Sequence, residues 1–248
     1  MSIRPILETR PAQPTMEGAG VKLHRAFGFQ DPSELDPFLL FDDFRGERPS
    51  DYQAGFPWHP HRGIETITYV LAGSVEHGDS LGNSGTLDAG SVQWMTAGSG
   101  ILHQEMPSGN AAGQMHGFQL WGNLPSSLKM TAPRYQDIHG AEIPEVVDDD
   151  GTRVKVITGA FWGKRGPAGV KKTFRIDTYR RAFAYVFEGA GAFADASSPT
   201  GVRLEKEVMG QEVNMRDLSG NRTLIRFGTG DEVTVQAGEE GVRFLLIS

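Results

Sequence analysis

Two short stretches hold the residue types of a metal centre. The first, Phe56-Pro57-Trp58-His59-Pro60-His61-Arg62-Gly63, has two histidines spaced i, i+2. The second, Ile101-Leu102-His103-Gln104-Glu105-Met106-Pro107, has a histidine and a glutamate at the same spacing. On a β-strand that spacing puts both side chains on one face. Two such strands side by side could present three imidazoles and one carboxylate to a single point. The set suits Fe, Mn, Ni, Cu or Zn, and a carboxylate with open coordination positions leans towards non-haem Fe(II). With an ionised Glu105 and neutral imidazoles, a divalent ion would carry net charge +1, which an anionic ligand in the open positions would compensate. A single histidine on an apolar face is usually structural. Two histidines flanking Pro60, joined by a His-x-Glu behind glycine-rich turns, are a poor match to chance.

Those ligands can meet only if the chain supplies strands around them. The 32 Gly and 14 Pro imply many turns, and the short Val/Ile/Thr/Tyr/Phe runs between them point to an all-β architecture. Strands are expected over 21–29, 37–45, 65–72, 75–79, 91–95, 101–106 and 115–121. Residues 125–131 suggest a short helix behind a serine cap. Residues 135–151, ending in Asp148-Asp149-Asp150-Gly151, read as an interdomain connection; the acidic run lacks the spaced ligands of a calcium loop and reads as a turn.

The second half echoes the first. Tyr69-Val70-Leu71-Ala72-Gly73 matches Tyr185-Val186-Phe187-Glu188-Gly189, and Ala97-Gly98 matches Ala237-Gly238. Two barrels built alike are therefore expected, over 1–138 and 139–248. Carried across the repeat, His59 falls on Arg175, His61 on Asp177, His103 on Arg243 and Glu105 on Leu245. No histidine follows His139, so only the first barrel can hold this metal. Soon after Leu245 the sequence stops, so the second barrel is expected to lack its last strand unless a longer natural C-terminus or another segment covers that edge.

Composition narrows the function classes. With no Cys there is no disulfide framework, thiolate zinc site or cysteine nucleophile. The N-terminus does not read as a signal peptide and no stretch is long enough to span a membrane, which makes a cytoplasmic protein the expectation. The net charge of −7 argues against nucleic-acid binding. The cluster Lys171, Lys172, Arg175, Arg180 and Arg181 reads as a solvated face.

His59-Pro60-His61-Arg62-Gly63-Ile64-Glu65 and the later Gly90 to Gly100-Ile101-Leu102-His103 resemble the two cupin motifs. More narrowly, Phe38-Leu39-Leu40-Phe41-Asp42-Asp43-Phe44-Arg45, Phe56 to Gly63, and Gln93-Trp94-Met95-Thr96-Ala97-Gly98 with Ile101 to Pro107 resemble the pirin family. The resemblance spans roughly residues 20–125 and extends more diffusely into the second half. It implies two stacked cupin barrels (double-stranded β-helices, jelly-roll-like) with little helix. It also implies an Fe(II) site on His59, His61, His103 and Glu105, with Mn, Ni, Cu, Co or Zn as other candidate ions. Family members act as quercetinase-type dioxygenases, as redox-sensitive transcriptional co-regulators and as binders of metabolic enzymes. Pirins usually continue a few dozen residues past the position of Ser248.

The resemblance thus suggests a dioxygenase that uses O₂ to open the ring of a flavonol such as quercetin. Glu105 is then the candidate general base for the 3-hydroxyl. The alternative is a redox-sensing protein that binds a transcription factor or metabolic enzyme. Among the remaining residues, Glu65 is expected either to orient a histidine or to sit in a surface pair. His116 and Gln119 either line the pocket or occupy a barrel face. His24, His77 and His139 are expected at the surface, and Trp58, Trp94 and Trp121 in the core. Asp42 and Asp43 are expected to cap or bridge loops, and Gly189-Ala190-Gly191 to form a turn.

Overall fold

Glycine-punctuated runs of β-branched and aromatic residues become strands, because such side chains pack well on a pleated surface. The structure, a computed structural model, describes residues 4–29, 32–147, 152–161, 164–165, 180–194, 207–208, 211–212 and 218–248. The strands up to the expected barrel boundary are β1 (Ile6–Pro11), β2 (Gln13–Glu17), β3 (Val21–Phe27), β4 (Phe38–Gly46), β5 (Phe56–His61), β6 (Ile64–Ala72), β7 (Ser74–Asp79), β8 (Ser84–Asp88), β9 (Val92–Thr96), β10 (Ile101–Ser108), β11 (Met115–Asn123) and β12 (Arg134–Ile138). After them come β13 (Glu145–Val147), β14 (Arg153–Lys155), β15 (Ala160–Phe161), β16 (Lys164–Arg165), β17 (Ala182–Ala194), β18 (Glu207–Val208), β19 (Gln211–Glu212), β20 (Ser219–Gly220), β21 (Thr223–Phe227) and β22 (Thr234–Ile247). Among the described residues, α-helix is confined to one turn, Pro32–Leu35. The helix expected over 125–131 is only a 3₁₀ turn, Ser126–Leu128, which follows Pro125 and has no side-chain cap. No described helix is long and apolar enough to cross a membrane.

The chain divides into two compact units, Gln13–Phe174 on the one hand and Met1–Ala12 with Arg175–Ser248 on the other. This differs from the division at 138/139. Part of the expected connection is sheet: β12 pairs with β9, Gln136 opposite Trp94. The acidic run 148–151 lies outside the described residues.

In the first unit a seven-stranded sheet, ordered β12-β9-β6-β11-β4-β3-β2, faces a four-stranded sheet, ordered β5-β10-β7-β8. Between them Val21, Leu23, Phe44, Val70, Val75, Leu87 and Met115 form an apolar core. One level of the larger sheet breaks this pattern. Arg25, Asp42, Gln119, Thr68, Gln93 and Asp137 stand opposite one another across six neighbouring strands. Directly paired residues of an antiparallel sheet point to one side, so these six make a polar row across the face turned towards β10. Asp42 and Asp43 therefore do not cap loops. They are buried in the middle of β4, where Arg25 grips Asp42 through two 2.8 Å bonds and Arg45 bonds Asp43.

In the second unit the sheet runs β1-β21-β17-β20, with β22 on the other side of β17. Its core holds Ala182, Ala184, Val186, Phe193, Ile225 and Phe227. The segment Ile6–Pro11 borders β21, with Thr9 opposite Ile225. Gly189-Ala190-Gly191 is not a turn; it lies within β17, where the register to β22 slips. Arg243 and Leu245 lie on β22. Arg175 and Asp177 lie outside the described residues, as do Lys171 and Lys172, while Arg180 and Arg181 are exposed.

Candidate metal centre

β5 and β10 are hydrogen-bonded neighbours, and His103 stands directly opposite His59. The turns at their ends are tied together, because the Gly63 amide donates to the Gly98 carbonyl at 2.7 Å. Gly98 is required there: its φ is +52° and a Cβ would lie 2.1 Å from the Thr131 carbonyl oxygen. Next to His103 the pairing slips, so that Glu105 faces Phe56 and β5 carries a bulge at Pro57-Trp58. The bulge leaves Trp58 53% exposed, contrary to its expected core position.

Ligand atoms of His59, His61 and His103 all lie within 4.8 Å of one another. His59 Nδ1 is 2.8 Å from the Pro57 carbonyl. A carbonyl can only accept, so Nδ1 carries the hydrogen and Nε2 presents a lone pair. That Nε2 lies 3.1 Å from His61 Nε2. Two nitrogens on adjacent positions of a six-coordinate ion, each about 2.1 Å from it, are about 3.0 Å apart. Neither ring nitrogen of the buried His103 has a hydrogen-bond partner. A buried polar atom left without one is costly, and a cation at the centre of the triad would satisfy it.

Electrostatics agrees. Burial first, then the neighbouring imidazoles of His103 and His59, brings the His61 pKa down to about 3. Burial also lowers that of His103, against an opposing pull from Glu105. Both rings are neutral near pH 7, the form that binds metal. The three histidines can hold a metal ion.

Glu105 is not part of the converged group. Its buried carboxylate is held by the opposite sheet: Thr68 Oγ1 donates to Oε1 at 3.0 Å, and Gln119 Nε2 to Oε2 at 2.9 Å and Oε1 at 3.2 Å. Trp121 Nε1 in turn donates to Gln119 Oε1 at 3.0 Å, and its indole packs edge-on against His61, ring centroids 4.8 Å apart. Gln119 thus lines the site, whereas His116 turns the other way, its Nε2 3.4 Å from Asp43. Glu65 accepts from Thr96 and touches no metal histidine. His77, expected at the surface, is buried with its Nε2 3.8 Å from Asp137 and its ring stacked on Tyr135. His24 is half-buried and His139 exposed; Trp94 is half-buried. Thr68 and Trp121 were not expected at the site. Thr68 gives no local signal, but Trp121 lies two residues beyond Gln119 on one strand, and that alternation would have placed both on the same face.

The Pirin family model matches residues 20–122. A Pseudomonas aeruginosa protein provisionally named a quercetin 2,3-dioxygenase is 38% identical over a 248-residue alignment, which covers 91% of this chain and 86% of that protein. The chain belongs to the pirin family. A pirin-like protein of Caulobacter vibrioides is 49% identical to this pirin over 170 residues, 68% of this chain and 61% of that one. Human pirin is 49% identical over 148 residues, 59% of this chain and 49% of that one. The chain thus spans less than two-thirds of the length of both. The crystal structure of a quercetin 2,3-dioxygenase from Acinetobacter baumannii superposes with a TM-score of 0.81 at 29% identity, covering 99% of this chain and 86% of that one. The pirin YhhW of Escherichia coli, crystallised with nickel(II), shares the fold at a TM-score of 0.62 and 21% identity, covering 96% of each chain. This pirin accordingly has the all-β cupin fold of those structures.

Proposed function

We propose that this pirin is a metal-dependent dioxygenase that opens the central ring of a flavonol such as quercetin with O₂. The observation that carries the reading is the convergence of His59, His61 and His103, with the nitrogens of His103 unsatisfied. The likeness to proteins named for quercetin oxidation supports the substrate class. Fe(II) is the first candidate ion, with Mn, Ni, Co, Cu and Zn behind it, since ligand type alone does not select among them.

His59, His61 and His103 would hold the ion, with Glu105 as the fourth ligand. Bound there, the ion supplies a Lewis acid that makes a coordinated hydroxyl far more acidic. The chain's own groups do the rest. Where its hold on the ion is loose, Glu105 takes the 3-hydroxyl proton at its carboxylate, and Thr68 and Gln119 hold that carboxylate in place through donated bonds. Trp121 and Phe29, whose rings meet edge to face at 5.7 Å, form an apolar wall beside His61.

The test is O₂ consumption with quercetin by metal-free protein reloaded with each ion. The wild type is expected to turn over with at least one ion, and His59→Ala/His103→Ala to fall to the buffer rate. Equal rates for both proteins would overturn the proposal.

A further inference from the structure

We propose that Trp121, acting through Gln119, is a positioning residue that fixes which face of an amide Glu105 meets. The inference rests on the metal-centre reading of the histidine triad given above. The two ends of a glutamine amide are normally hard to tell apart. Here the neighbours decide. An indole N–H can only donate, so Gln119 must turn Oε1 towards Trp121, at 3.0 Å. Its Nε2 is then committed to Glu105, spanning Oε2 at 2.9 Å and Oε1 at 3.2 Å. Thr68 adds a second donor to Oε1 at 3.0 Å. Oε1 thus receives two donors and Oε2 one, and a carboxylate oxygen has two lone pairs. Oε2 is the oxygen left with capacity for an ion or a proton.

The same indole packs edge-on against His61 at 4.8 Å between ring centroids. One side chain therefore touches a histidine of the triad and, through a single amide, orders the carboxylate. Without the indole N–H the carboxylate alone keeps the amide nitrogen on the Glu105 side, and the far end of the amide is left unanchored. A flipped amide would set its oxygen against the carboxylate, two acceptors face to face.

The experiment is a Co(II) titration of the full chain against a competing chelator, with visible spectra. It compares wild type, Trp121→Phe, Gln119→Leu and the double variant, each checked for fold by circular dichroism. Each single change is expected to weaken Co(II) binding about tenfold or more, the usual effect of losing a group that orients a ligand, and to move the visible bands. In the Gln119→Leu background, Trp121→Phe should change affinity by less than about twofold, because residues acting through one another are not additive. Single variants with wild-type affinity and bands would overturn the inference. So would a Trp121→Phe loss of equal size in both backgrounds, which marks simple packing. If Trp121→Phe does not fold, Gln119→Leu decides alone: wild-type affinity overturns the inference, and a tenfold loss with moved bands supports it. Quercetin turnover in the same wild-type preparation separates the two readings. Cobalt binding without turnover removes the dioxygenase and leaves the positioning pair standing. Cobalt binding that survives His59→Ala/His103→Ala removes the metal centre on which the pair depends.

Discussion

His61 sits neutral in the native protein because burial and two adjacent imidazoles bring its pKa down to about 3. Unfolded, the same ring titrates near 6.5. Between those values the unfolded chain binds a proton that the native chain refuses, so stability rises with pH through the window and falls on acidification. The slope is about 1.4 kcal/mol per pH unit for one such group. Metal-free protein is therefore expected to lose about 1 kcal/mol between pH 6.5 and 5.5 from His61 alone, since the unfolded ring is only half protonated at the upper end, with His103 adding in the same direction. Urea midpoints across that range measure it, and His61→Gln should flatten the dependence. A wild-type midpoint that does not move would refute the assignment. This sensitivity was readable in the sequence only in part. The i, i+2 spacing placed His59 and His61 together, but the depth of burial that keeps His61 uncharged is a property of two packed sheets.

Within the seven-stranded sheet, the polar row gives the element scale its own logic. Asp42 is buried on β4, and burial, the largest influence, raises its pKa despite the guanidinium of Arg25. Removing one partner of such a pair strands the other without water. Arg25→Leu is thus expected to cost about 3–5 kcal/mol in urea unfolding, and Arg25→Leu/Asp42→Leu to recover most of it. A single variant within about 1 kcal/mol of wild type would show that the pair carries no such burden. The sequence showed Asp42 and Asp43 as adjacent acids, and adjacent acids usually mark loops. Only the register, which sets Arg25 across from Asp42 and Gln119 beside it, turns one of them into an interior group. Register follows from long-range pairing, so a local window could not supply it. The same limit explains Trp58. Its aromatic ring favours a core, but the bulge that the His103–Glu105 slip puts into β5 leaves it exposed.

For the molecule as a whole, the repeat between Tyr69 and Tyr185 was legible as a shared Tyr-Val run followed by a glycine, although Gly73 comes after the end of β6 whereas Gly189 lies inside β17. The allegiance of the first strand was not. Nothing in Ile6–Pro11 says that its hydrogen bonds go to β21, since its partner lies at the far end of the sequence. Deleting residues 4–11 is expected to strip hydrogen-exchange protection from Gly228, whose amide donates to the Pro5 carbonyl at 2.7 Å, and from Leu224 and Arg226, whose amides alternate with it towards β1. Protection at those amides equal to wild type would show that β1 contributes nothing there.

That pairing also sets an order of events on the ribosome. Thr9 leaves the exit tunnel long before Ile225 exists, so a strand made ahead of every other described one is among the last to find its place. Until then it is an unclaimed ribbon of donors and acceptors, available to chaperones or to a neighbouring nascent chain, while the histidine-bearing sheets already have every strand they need.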